Sequence, residues 1–151
     1  MLEIKRILFP IDFSENSVKI LPYVLSVSEK YDAMIYLLHV VDDLSKWGGG
    51  FYIPHIPLEQ YQEEALKGAE ESLLRVCEDQ LRHCPNFQKR VLCGDPAQEI
   101  LKTIESEGID MVIMGTHGRK GLEHVFFGSV AENVVKKSSV PVLTINPYKV
   151  K

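Results

Sequence analysis

Long apolar runs are missing from this chain. The longest, Ile35 to Val41, is broken by His39 and falls far short of the about 18 consecutive apolar residues that a membrane-spanning helix needs. No membrane partner is expected. Cysteine is sparse: Cys77, Cys84 and Cys93 are odd in number and show no Cys-x-x-Cys spacing, which argues against both a disulfide framework and a zinc site, so reduced thiols are expected. Positive charge is not in excess either. With 17 Lys and Arg against 21 Asp and Glu the net charge is -4, and without a basic surplus no nucleic-acid partner is expected. The opening residues Met1 to Arg6 lack the apolar segment and small-residue cleavage site of a secretory signal, so the expected setting is cytoplasmic. No internal repeat or low-complexity segment is found.

What remains is an ordinary globular composition, 45% hydrophobic and 25% charged over 151 residues. One domain over 1–151 is expected, long enough to bury about 68–70% of its extended-chain surface. Apolar runs alternate with helical patterns. Arg6 to Ile11 reads as a buried strand, followed by a helix capped by Asp12 or Ser14, with Val18, Leu21 and Leu25 at helical spacing. Pro22 predicts a kink or a late start in that helix. Ala33 to Val41 reads as a central strand, and a polar, glycine-rich stretch over Asp42 to Pro57 separates it from a long helix. Leu66, Ala69, Leu73, Val76, Cys77 and Leu81 form that helix's apolar stripe. Lys89 to Leu92 is a short third strand. Asp95, Pro96 and Gln98 then supply an N-cap, a first-turn proline and an amide three residues past the cap, opening a helix that stops at Gly108. Met111 to Met114 is a fourth strand ending at Gly115, Ser129 to about Ser138 the last helix, and Val140 to Ile145 the fifth strand. This order predicts a doubly wound α/β fold: a five-stranded parallel sheet with helices on both faces and ligands at the strands' carboxyl ends.

The chemistry concentrates between strand four and the last helix. Gly115 and Gly118 offer a left-handed turn, close ligand approach and an anion nest of amides, and Gly128-Ser129 opens a helix whose free donors and dipole favour a phosphate. Arg119 and Lys120 add positive charge, and Leu122, Val125 and Phe126 can pin the loop to the body. Neither a P-loop nor the dinucleotide fingerprint is present. Asp12, just after strand one, belongs at the nucleoside end of any nucleotide, because a carboxylate about 4 Å from a phosphate would repel it by about 4 kcal/mol at an effective dielectric near 20. Its alternative is a helix cap. His117 can donate to a phosphate oxygen, or else is a solvated loop histidine.

The spacing Gly115-x2-Gly118-x9-Gly128-Ser129, with Phe9-Pro10-Ile11-Asp12-Phe13-Ser14, Leu38-His39-Val40 and Gly94-Asp95-Pro96, resembles the universal stress protein family of the ATP-binding type. The resemblance covers essentially the whole chain. It implies a five-stranded parallel α/β fold, a homodimer formed through strand 140–145, and an adenine nucleotide, ATP alone or with Mg2+, at the strands' carboxyl ends. It implies that Asp12 and Val40 meet the nucleoside, and that Gly115, His117, Gly118, Arg119, Gly128, Ser129 and Val130 lie along the ribose and phosphates. Pro10, Ile11 and Met114, at the ends of strands one and four, complete the binding positions.

Other constellations are weaker. His39, Asp42, Asp43 and His55 have no spacing that makes them converge on a metal, and Cys93 lacks a partnered base in the local sequence and reads as a packed thiol. Trp47, Phe51 and Tyr52 either cover an adenine or stand in solvent. Strand four ends Met114-Gly115 without an acid to hold a metal. The leading expectation is therefore a dimeric nucleotide-binding regulatory module acting in stress response; a slow ATP hydrolase or phosphotransferase, or a nucleotide-free dimeric scaffold, are the alternatives.

Overall fold

The computed structural model describes residues 1–43, 45, 57–84, 86–118 and 127–150. Expectations for Trp47, Phe51, Tyr52, His55, Arg119, Lys120, Leu122, Val125 and Phe126 lie outside the described residues. The elements alternate as β1 (Arg6–Pro10), α1 (Glu15–Tyr31), β2 (Met34–Asp42), α2 (Leu58–Gln80), β3 (Phe87–Gly94), α3 (Pro96–Ser106), β4 (Met111–Gly115), α4 (Ser129–Lys137) and β5 (Val142–Ile145). All pairings are parallel, in the order β3-β2-β1-β4-β5. The doubly wound fold expected from the alternation is the one observed.

Two cores sandwich the sheet, and β1 shows how they arise. Its side chains alternate between faces: Ile7 and Phe9 join Ile20, Leu21 and Val24 of α1 and Leu73 of α2 on one side. Leu8 joins Ile100 and Ile104 of α3 and Val134 of α4 on the other. Both faces of the central strands are thus covered, which is why Ile35 to Leu38 contains no charged residue. Burial pushes the Cys77 thiol up, against the opposing pull of Lys89, as expected of an unreactive packed cysteine. Cys93 is instead exposed, so it is not the packed thiol its sequence setting suggested; β3 is an edge strand, with one flank open to water.

The remaining differences from expectation have local causes. The helix α1 does not start late: it begins at Glu15 and runs through Pro22, which lies exposed while Ile20, Leu21 and Val24 bury the opposite side. The strand β3 is longer than Lys89 to Leu92 because ladder bonds to β2 extend from Phe87 to Gly94, while its exposed Gln88, Lys89 and Arg90 hide the apolar pattern. The expected caps of α3 are present: Asp95 accepts from the Gln98 amide at 3.0 Å, with Pro96 in the first turn. Among the described residues no helix is long and apolar enough to cross a membrane.

Candidate functional site

Because β1 lies between β2 and β4, the chain leaves the carboxyl ends of β1 and β4 in opposite directions, opening a crevice there. On the β1 side, the Ile11 amide donates to Leu38 O at 2.8 Å. His39 Nδ1 lies 2.6 Å from Ile11 O. The chain then turns sharply. Phe13 adopts φ 64°, a left-handed conformation costly for a bulky L-residue. Packing holds it there: the Phe13 ring lies 4.3 Å from that of His39, tilted by 37°, and leans on the first core.

Asp12 braces the same turn. Its Oδ1 accepts from the Ser14 amide at 3.0 Å, from Ser14 Oγ at 2.6 Å and from Ser17 Oγ at 2.5 Å. Ser14, not Asp12, is the N-cap of α1, its side chain accepting from the Ser17 amide. Short serines at these two positions therefore let one carboxylate oxygen anchor the turn while Oδ2 faces the loop after β4. A Cβ added to Gly118 would sit 2.8 Å from that Oδ2.

On the β4 side the three signature glycines differ in role. None adopts a left-handed φ, so the expected positive-φ turn at Gly115 and Gly118 is corrected: these glycines serve close approach. A Cβ on Gly115 would meet Ile20 Cδ1 at 2.6 Å and His117 O at 3.1 Å, so this glycine makes room for α1. A Cβ on Gly128 would lie 3.2 Å from Thr116 O and 4.0 Å from Gly118 N. The two ends of the loop therefore meet. The Gly128 amide donates to Thr116 O at 2.7 Å, and the Thr116 amide to Ile145 O at 2.9 Å. These amides close the loop instead of joining an anion nest. The amides of Ser129, Val130 and Ala131 open α4, where helix geometry supplies no intrahelical acceptor.

His117 is 6% exposed, which removes the solvated-loop alternative. Its Nδ1 lies 2.7 Å from Thr116 Oγ1, and its ring meets Tyr148 edge-on at 5.3 Å. Ile11 and Met114 are 4% and 5% exposed and belong to opposite cores, so their side chains are consumed by packing. Pro10 ends β1 opposite Leu38, Val40 and Val130 are half-buried beside the second core, and Ser129 is exposed. Asp12, Gly118 and Gly128 are thereby gathered in one place. Val40, on the neighbouring strand, has no described contact to them, and Arg119 lies outside the described residues. Sequence reasoning missed Phe13, Asn16, Ser17, Thr116 and Tyr148. Only the serine at Ser17, three residues past a Ser14 cap, carried a local signal.

No group of three His, Cys, Asp or Glu side chains able to hold a metal occurs among the described residues. His39 is drawn instead to Ile11 O, and Asp43 to Ser45.

The universal stress protein family model matches residues 3–146. Universal stress protein MJ0577 of Methanocaldococcus jannaschii is 30% identical over 152 residues, spanning 93% of this chain and 94% of that protein. A solved structure of MJ0577 aligns at TM-score 0.81 and 31% identity, over 96% of this chain and 97% of that one. A universal stress protein from Archaeoglobus fulgidus in complex with dAMP shares the fold at TM-score 0.63 and 18% identity, covering 97% of this chain and 100% of that chain. A universal stress protein in complex with cAMP does so at TM-score 0.60 and 15% identity, covering 97% and 99%. By sequence match and by architecture, the chain belongs to the universal stress protein family.

Proposed function

We propose that this chain is a nucleotide-binding regulatory module that holds an adenine nucleotide, ATP in the first instance, in the crevice between the β1 and β4 ends. The observation that carries the reading is the approach of Gly118 to Asp12 and of Gly128 to Thr116 and Gly118, distances that any added Cβ would fill. This cradle sits at the start of α4, where the helix supplies no intrahelical acceptor to the first amides and its dipole favours anionic oxygens. Fold neighbours solved with dAMP and cAMP lend support. Asp12 and Val40 serve the nucleoside, with Pro10 and Ile11 shaping its floor through the backbone. Gly118, Arg119, Gly128, Ser129 and Val130 serve the ribose and phosphates; Met114, Gly115 and His117 shape the loop that carries them.

Any Mg2+ arrives on the phosphates, because this cation keeps several waters and needs only one or two carboxylates. Binding rather than turnover suits the residues. Asp12, a carboxylate at the crevice, has one oxygen committed to three hydrogen bonds, and β4 ends in glycine. A second copy of the chain pairs along β5.

The test is direct. Freshly purified protein, denatured, should release an adenine nucleotide detectable by mass spectrometry. After stripping, ATP at about 100 times its Kd should add about 2.7 kcal/mol of stability, a rise of roughly 5–10 °C in Tm for a domain of this size. An unchanged midpoint at millimolar ATP, with no copurifying nucleotide, would overturn the reading.

A further inference from the structure

We propose that Asn16 and Tyr148 are positioning residues that hold the Gly118 end of the glycine loop in the shape that receives the ligand's phosphates; this deepens, and rests on, the nucleotide reading above. Asn16 Nδ2 donates to Gly118 O at 2.9 Å. The same nitrogen lies 3.4 Å from Tyr148 Oη. The Tyr148 ring in turn meets His117 edge-on, with centroids 5.3 Å apart and planes at 65°. Upstream, Ile145 O accepts from the Thr116 amide at 2.9 Å. Residues Thr116 to Gly118 are thus bracketed by the first turn of α1 on one side and by the chain after β5 on the other.

The tail that delivers Tyr148 is itself ordered. Asn146 Oδ1 accepts from the Tyr148 amide at 3.0 Å, and Asn146 O from the Lys149 amide at 3.1 Å. This turn bends the chain back over the carboxyl end of the sheet, where Tyr148 becomes half-buried.

Such a bracket has a physical purpose at Gly118. Glycine has the widest backbone freedom of any residue, and a loop ordered only on binding subtracts that ordering cost from affinity. A side-chain amide bonded to the glycine carbonyl, with an aromatic ring against the preceding histidine, orders Thr116 to Gly118 beforehand. Neither residue needs to touch the ligand. Asp12 Oδ2 beside Gly118 repels phosphate there, so the phosphates run from Gly118 toward the start of α4; the effect of the bracket should follow them and spare the nucleoside on the Asp12 and Val40 side.

Isothermal titration of the full, ligand-stripped chain with ATP and, separately, with millimolar adenosine tests this. Asn16→Ala and Tyr148→Ala should each weaken ATP about tenfold and adenosine by less than about twofold. Tyr148→Phe, which keeps the ring and loses a long contact to Asn16, should stay within about twofold of the parent for both ligands. Equal losses for ATP and adenosine would mark a merely structural role and overturn the proposal, as would unchanged ATP affinity in Asn16→Ala. A parent chain that binds neither compound overturns the nucleotide reading itself, before any variant is compared, and this inference falls with it.

Discussion

Single atoms decide the behaviour of the glycine loop. Gly115 and Gly118 look equivalent in sequence, yet the hydrogen that replaces Cβ does different work at each. At Gly115 the missing methyl is occupied by Ile20 Cδ1, 2.6 Å from where a Cβ would stand, and Ile20 is itself 2% exposed. Gly115→Ala should therefore destabilise by about 1–3 kcal/mol, as overpacking does. Ile20→Val removes the colliding Cδ1, so the double variant should lose less than the sum of the singles. Urea titration of the four proteins reads this coupling, and strict additivity would show that Ile20 is not what Gly115 accommodates. That Gly115 accommodates Ile20 was not legible, because a sequence does not show which neighbour approaches a glycine. The left-handed Phe13 was equally invisible: bulky residues disfavour that region, and the rings and hydrogen bonds that enforce it come from His39, Ser14 and Ser17. Asn16 and Tyr148 meet across a separation of 132 residues, which no local pattern reports.

Helices and strands were far more legible, since their signals are local. The cap Asp95 with Pro96, the break at Gly108, whose φ is +60°, and the two-faced apolar character of β2 each act within a few residues of where they stand. The element that resisted is α1. A proline inside a helix removes one intrahelical donor and crowds the turn before it, yet α1 stays helical for 17 residues around Pro22. Burial of Ile20, Leu21 and Val24 and the Asp12, Ser14 and Ser17 cluster outweigh that local cost. If so, the cost is still present and recoverable. Pro22→Ala on this exposed face should raise stability by about 2 kcal/mol, the helix-propensity gain of about 3 less the greater entropy of a proline-free unfolded chain. The denaturation midpoint should rise with an unchanged slope. A lower midpoint would mean that Pro22 fits the helix without strain.

At the scale of the whole molecule the two edges of the sheet are unlike, and the difference bears on assembly. Along β3 the exposed Gln88, Lys89 and Arg90 discourage another strand from pairing. Along β5 the run Val142–Ile145 carries no charge, and Leu143 is 41% exposed. Backbone geometry fixes which groups face outward. Pro141 O and Ile145 O accept from β4 and the residue after it. In a parallel ladder the alternate residues, Val142 and Thr144, therefore turn their N–H and C=O to the open side. A second copy pairing there would satisfy those groups and cover Leu143. Thr144→Pro deletes an outward donor while leaving the bonds to β4 untouched. The parent should sediment as a dimer whose Tm rises with protein concentration; the variant should sediment as a folded monomer whose Tm does not. Because the bond from the Thr116 amide to Ile145 O lies on the β4 side, Thr144→Pro should leave the glycine loop intact and ATP affinity unchanged. A variant that remains dimeric removes β5 from the interface, and a monomeric one with weakened ATP affinity shows that the edge and the site are coupled.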